Sequence, residues 1–135
     1  MSRVINPNSA GKERTRMTRA IALAVREMAK KKAVDSEARD LAAFISLALD
    51  AVAETIEPSV AAWEKRNYWV KADKFRMEWR WADKLAKEMR KAVLNDDWAT
   101  VTQVAMQVAM KLQKIKISDK HRMGRPWQGS WGKLQ

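Results

Sequence analysis

The sequence contains no cysteine and a single histidine, His121. The first absence rules out disulfides, thiolate nucleophiles and cysteine-based zinc sites, and leaves the redox compartment open. The second rules out a metal cluster built on histidines. Glycine and proline are also scarce, at four and three residues, and neither occurs between Pro58 and Gly124. With so few breakers, that stretch is expected to be helical. The longest apolar run, residues 41–49, falls far short of the ~20 residues of a membrane-spanning helix. The first seventeen residues carry no apolar segment of the secretory type, so a cytoplasmic location is expected.

Enzyme signatures are missing too. "SAGK" at Ser9 to Lys12 lacks the first glycine, the spacing and the preceding strand of a phosphate-binding P-loop. No carboxylates take the Glu-x-x-His spacing of di-metal bundles. The expectation is no catalysis, no cofactor and no metal. Homeodomain, zinc-finger and basic-zipper patterns are absent, and no short helix follows a glycine turn as in a helix-turn-helix.

What is present is charge of one sign. Of 135 residues, 27 are Lys or Arg and 16 are Asp or Glu, giving +11 at neutral pH and a pI near 10.2. Hydrophobic residues make up 47%, enough for a helical domain with its own core. The charge is unevenly spread. Residues 1–33 hold nine Lys/Arg against two acids, and residues 34–57 hold one Arg against six acids. Residues 58–94 return to ten against five. An acidic helix between two basic ones can neutralise part of their charge, and the remainder must face water or a polyanion.

Periodicity gives the elements. Residues 1–9 read as an arm, with a turn at Asn6-Pro7 and Ser9 as an N-cap. A first helix is expected over 10–32, with Met17, Ile21, Val25 and Met28 inward. A second, capped by Asp35 or Ser36, reaches residue 56 and is apolar over much of its circumference, which makes it the most buried element. Its acids, Asp40 among them, are expected on a solvated or charge-pairing face. Pro58 suits the first turn of a third helix running unbroken over 59–94, roughly 50 Å. Its core stripe is Tyr68, Ala72, Phe75, Trp79, Ala82, Ala86, Met89 and Val93. Asn95 or Asp96 caps a fourth helix, in which Trp98, Val101, Ala105, Val108, Leu112 and Ile115 step by three and four. Residues 118–135 read as an irregular tail, docked because two free tryptophans would promote aggregation. The expected fold is thus all-α: a four-helix, bundle-like domain with a long third helix, an N-terminal arm and a C-terminal tail.

Three groups of residues are candidates for polyanion contact. On the first helix, Lys12, Arg16, Arg19, Arg26 and Lys30 form a stripe opposite the apolar one, interrupted by Leu23 and extended by Arg3 and Arg14. Arginine is the residue that grips phosphate with two hydrogen bonds. On the third helix, Arg66, Lys74, Arg80 and Lys84 flank a second apolar stripe of Trp63, Val70, Met77 and Trp81. In the tail, Arg122 and Arg125 accompany Trp127 and Trp131. Trp63, Met77, Trp81, Trp127 and Trp131 could stack on bases or form a protein interface. The tail could lie on the second face of the third helix. These residues point to a nucleic-acid-binding protein, DNA ahead of RNA, directed at the backbone with little sequence preference. Alternatives are a helical assembly or adaptor protein that binds another chain or itself through the second apolar face of the third helix, a dimer being favoured, and an RNA- or ribosome-associated factor.

Overall fold

The structure, a computed structural model, describes residues 7–135. Six helices occur among them: α1 (Pro7–Ala29), α2 (Ser36–Glu54), α3 (Ile56–Lys65), α4 (Trp69–Leu94), α5 (Trp98–Lys111) and α6 (Ser130–Leu134). The all-α expectation holds. α1 packs on α2, α2 on α4 and α4 on α5, and α5 returns to α1, which gives the bundle-like arrangement. α3 wedges against α1 and α4, and α6 lies on α2. Among the described residues no helix is long and apolar enough to cross a membrane.

α2 is the centre. Asp35 caps it, its carboxylate accepting the Ala38 N–H at 2.8 Å. That hydrogen bond and one from Lys31 hold the Asp35 carboxyl below the ordinary aspartate range, the Lys31 bond contributing most. Positions 41–46 are all buried, and six consecutive residues cover the whole circumference of a helix. Four buried positions of α2 are alanines, Ala38, Ala42, Ala43 and Ala48, which lets neighbouring helices approach closely. The buried Ser46 hydroxyl donates to the Ala86 carbonyl at 2.9 Å, so no polar group is stranded there. The main core adds Ile21 and Leu23 of α1, Leu85 and Met89 of α4, and Val101, Val104 and Val108 of α5. A smaller cluster of Ile56, Val60 and Ala72 packs under Trp63, Phe75 and Trp79.

The unbroken third helix is the main correction. The chain from 59 to 94 divides into α3 and α4 at Asn67, whose φ is 62°. The Asn67 N–H donates to Glu64 O at 3.0 Å and the Tyr68 N–H to Trp63 O at 2.9 Å. These bonds make a Schellman turn, with asparagine in the left-handed position that glycine usually takes. Asp96 repeats the device at the other end of α4, with φ of 56° and bonds from Asp96 N to Val93 O and Asp97 N to Ala92 O. Asp96 therefore ends α4, and Asp97, rather than Asn95 or Asp96, caps α5 by accepting the Thr100 N–H.

The ends differ from expectation as well. Residues 1–6 of the expected arm, Arg3 included, lie outside the described residues, while Pro7 to Ser9 belong to α1. α1 finishes at Ala29. The tail docks, but not on the second face of the third helix. It crosses to α2, where Trp127 and Leu134 enter the main core. Asp40, expected on a solvated or charge-pairing face, is partly exposed and has a structural task as well: its carboxylate accepts the Gly129 N–H at 3.1 Å and the Trp131 N–H at 2.9 Å. A residue some ninety positions upstream thus caps α6.

Two outcomes follow. Asp40→Ala should cost about 1 kcal/mol, as loss of a helix cap does, and should speed amide exchange in α6 more than in α4. Equal acceleration in both helices would contradict the capping role. Asn67→Gly should be neutral or slightly stabilising in urea unfolding, while Asn67→Val should lose roughly 1–2 kcal/mol because a β-branched residue resists positive φ. An undiminished midpoint for Asn67→Val would contradict the turn.

Candidate nucleic-acid interface

The N-terminal half of α1 borders a groove of about 690 Å³ lined by Lys12, Arg14, Arg16 and Arg19, with Gly11, Thr15 and the tail residue Met123 completing it. No carboxylate among the described residues lines it. Lys12 and Arg19 are exposed and form no ion pair with the described residues. Arg16 is exposed and meets Glu13 at 2.7 Å, a surface pair that is worth little and breaks readily.

Arg14 is the fixed member of the group. Its guanidinium donates to Thr55 Oγ1 at 3.1 Å and to Ser59 Oγ at 3.3 Å. It also lies 4.7 Å from the Phe75 ring centre and 5.6 Å from that of Trp79. Burial lowers its pKa, opposed by the Glu78 charge, and arginine stays cationic regardless. The expectation that Arg14 merely extends the exposed stripe needs correcting: it is half-buried and joins α1 to α3 and α4.

The stripe does not continue along α1. Leu23 is fully buried in the main core, and Arg26 turns to the segment after α5. Its guanidinium donates to Ile117 O at 2.9 Å and lies 3.6 Å from Asp119. Lys30 sits at the far end, 3.4 Å from Glu27. The post-α5 segment meets the middle of the stripe, so Arg26 is half-buried and engaged there. Leu23 was the sequence signal: an apolar residue inside a basic stripe marks a covered face.

On α4, Lys74, Arg80 and Lys84 are exposed and unpaired with described residues, as is Arg66 at the end of α3. Arg76 is committed internally. It donates to both Glu57 oxygens at 3.0 and 3.1 Å and to Glu64 at 2.9 Å. The fork raises the Arg76 pKa, chiefly through the Glu57 hydrogen bonds, and lowers that of Glu57. In the tail Arg122 is exposed, and Arg125 reaches Glu37 at 3.4 Å.

The aromatic candidates change places. Because the chain turns at Asn67, Trp63 of α3 faces inward and meets Phe75 edge-on, ring centres 4.9 Å apart. Trp81 is half-buried against the core with its ring 5.9 Å from that of Trp79. Trp127 is buried and Trp131 half-buried by docking on α2. Of the five proposed stacking or interface residues, only Met77 stands exposed. Tyr68, expected in the core stripe, is 54% exposed, and its neighbour Trp69 is 55% exposed. The turn at Asn67 displaces both from the face they would occupy on a continuous helix.

The groove thus gathers one fixed guanidinium and three exposed cations, Arg16 among them paired with Glu13, and α4 carries further exposed cations. No family model, curated protein or solved structure matches this chain.

Proposed function

We propose that the protein binds nucleic acid through the phosphate backbone, DNA ahead of RNA, with little sequence preference and in the cytoplasm. The observation that carries this reading is the α1 groove, in which Lys12, Arg14, Arg16 and Arg19 converge with no carboxylate among the lining residues. Opposed signs would be expected on a face adapted only to water. A row of cations on a rigid helix instead suits phosphates spaced along a strand, and each phosphate neutralised releases condensed counterions. Arg66, Lys74, Arg80, Lys84, Arg122 and Lys30 extend the basic surface. An RNA- or ribosome-associated role uses the same chemistry and is separated by the ligand preferred in direct comparison.

The alternative, assembly with another chain or with a second copy, is favoured by one observation. Met77 on α4 and Met106 and Met110 on α5 are 67%, 63% and 71% exposed. Met106 and Met110 share one face of α5, at the four-residue spacing. Methionine surfaces suit adaptable apolar partners.

Two measurements test these readings. Replacing Lys12, Arg16 and Arg19 with Gln should flatten the slope of log K against log salt on duplex DNA by up to about 2.7, roughly 0.9 per phosphate contact. Arg26→Gln should leave that slope unchanged while lowering stability by about 1 kcal/mol through the lost Ile117 bond. Wild-type binding no tighter than roughly 100 μM at physiological salt would reject the proposal. For assembly, Met106→Glu with Met110→Glu should lower the mass seen by light scattering if a dimer forms there. A wild type of monomer mass rejects self-association through this face.

A further inference from the structure

At the corner where α3 gives way to α4 lies a cleft of about 730 Å³, bounded by Trp63, Tyr68, Trp69, Lys71, Lys74 and Glu78, among others. Its size is that of a small-ligand site. The aromatic rings in it do not all stand alike. The Trp63 ring is already engaged, with the Lys71 ammonium 4.8 Å from its centre. Tyr68 and Trp69 remain more than half exposed, an uncommon state for large aromatic side chains at adjacent positions. Val70, beside them, is 70% exposed.

The walls of the cleft and of the basic groove meet at one packed contact. Phe75 forms part of the cleft wall, Arg14 part of the groove wall, and the Arg14 guanidinium rests 4.7 Å from the Phe75 ring centre. A strand that reaches this corner meets exposed rings beside Lys71 and Lys74. Planar groups with a negative backbone are what such a surface recognises: rings stack on bases, and ammonium groups meet the phosphates between them. A paired base has both faces stacked already, so the occupant is unpaired.

We infer that the α3–α4 corner is a stacking platform for unpaired bases of a single-stranded nucleic acid, with Trp69 and Tyr68 as the stacking residues and Lys71 and Lys74 as the phosphate contacts. This rests on the nucleic-acid reading above and narrows it to strands with unpaired segments. A bilayer surface fits less well, since the site is concave and Glu78 lines it, placing a carboxylate against the lipid.

The test compares three ligands of equal length with the full chain: a thymidine single strand, a duplex, and a strand of abasic residues that keeps the phosphates. Wild type should bind the thymidine strand about 5- to 150-fold more tightly than the abasic one, the range for one stacked base. Trp69→Ala should remove most of that difference, Trp69→Phe should restore part of it, and neither should alter duplex binding or its salt slope. Equal binding of thymidine and abasic strands by wild type overturns the platform and leaves the backbone reading standing. That comparison needs no variant, so it decides even if Trp69→Ala fails to fold. Absence of binding to any of the three overturns both. A Trp69→Ala variant that loses binding to phosphatidylcholine–phosphatidylserine vesicles but keeps the thymidine strand overturns the platform in favour of a membrane contact.

Discussion

A helix buried around its whole circumference must be enclosed, and the enclosure of α2 determines most of this molecule. Residues 41–46 have no exposed position, so α2 cannot sit at an edge. α1 and α4 flank it, α3 closes one end, and α6 covers what remains. At roughly 25 cal/mol per Å² of apolar area, this burial is the largest single favourable contribution the chain can make. Small side chains set how closely the enclosing helices approach, and the Ser46 hydroxyl is accommodated because it donates to the Ala86 carbonyl of α4.

The same enclosure sorts the charges. The acids of the α2 region are drawn into internal work: Asp35 caps a helix, Asp40 caps another, and Glu57 holds Arg76. Asp50, partly buried beside Asp83 and Glu54, has its pKa raised, burial being the main cause. Cations on α1 and α4 have too few remaining partners and stay at the surface. The basic face is thus a consequence of where the acids are needed, as well as of the excess of Lys and Arg over Asp and Glu.

Much of the fold was legible in the sequence. The apolar breadth of the second helix announced its burial, and the spacing of Val101, Ala105, Val108 and Leu112 named residues that are indeed buried. The break at Asn67 was not legible, because nothing but a non-glycine residue at positive φ produces it. Asn and Asp take that conformation often enough to end a helix but not often enough to be read as stops. "RNYW" and "NDDW" end two helices by the same hydrogen bonds, yet only "NDDW", with three capping residues in a row, carries the composition of a boundary. α6 escaped for a different reason: its cap lies on α2, and no local pattern records a partner so distant. For the candidate site, the cations at Lys12, Arg16 and Arg19 were readable from spacing. Arg14 and Arg26 were not, because their positions depend on α3 and on the segment after α5. The exposure of Tyr68 and Trp69 follows from the break and could not be seen without it.

The capping of α6 by Asp40 also sets a schedule for synthesis. Asp40 and Trp131 are separated by 91 positions, and a ribosome adds roughly 5–20 residues per second. About 5–20 s therefore pass between the emergence of α2 and that of the segment that completes its cover. Through that interval the nascent chain holds an apolar helix with one side open, together with the unmatched Asp40 carboxylate. Folding is correspondingly non-local, and the apolar cover of α2 is complete only when Trp127 and Leu134 arrive.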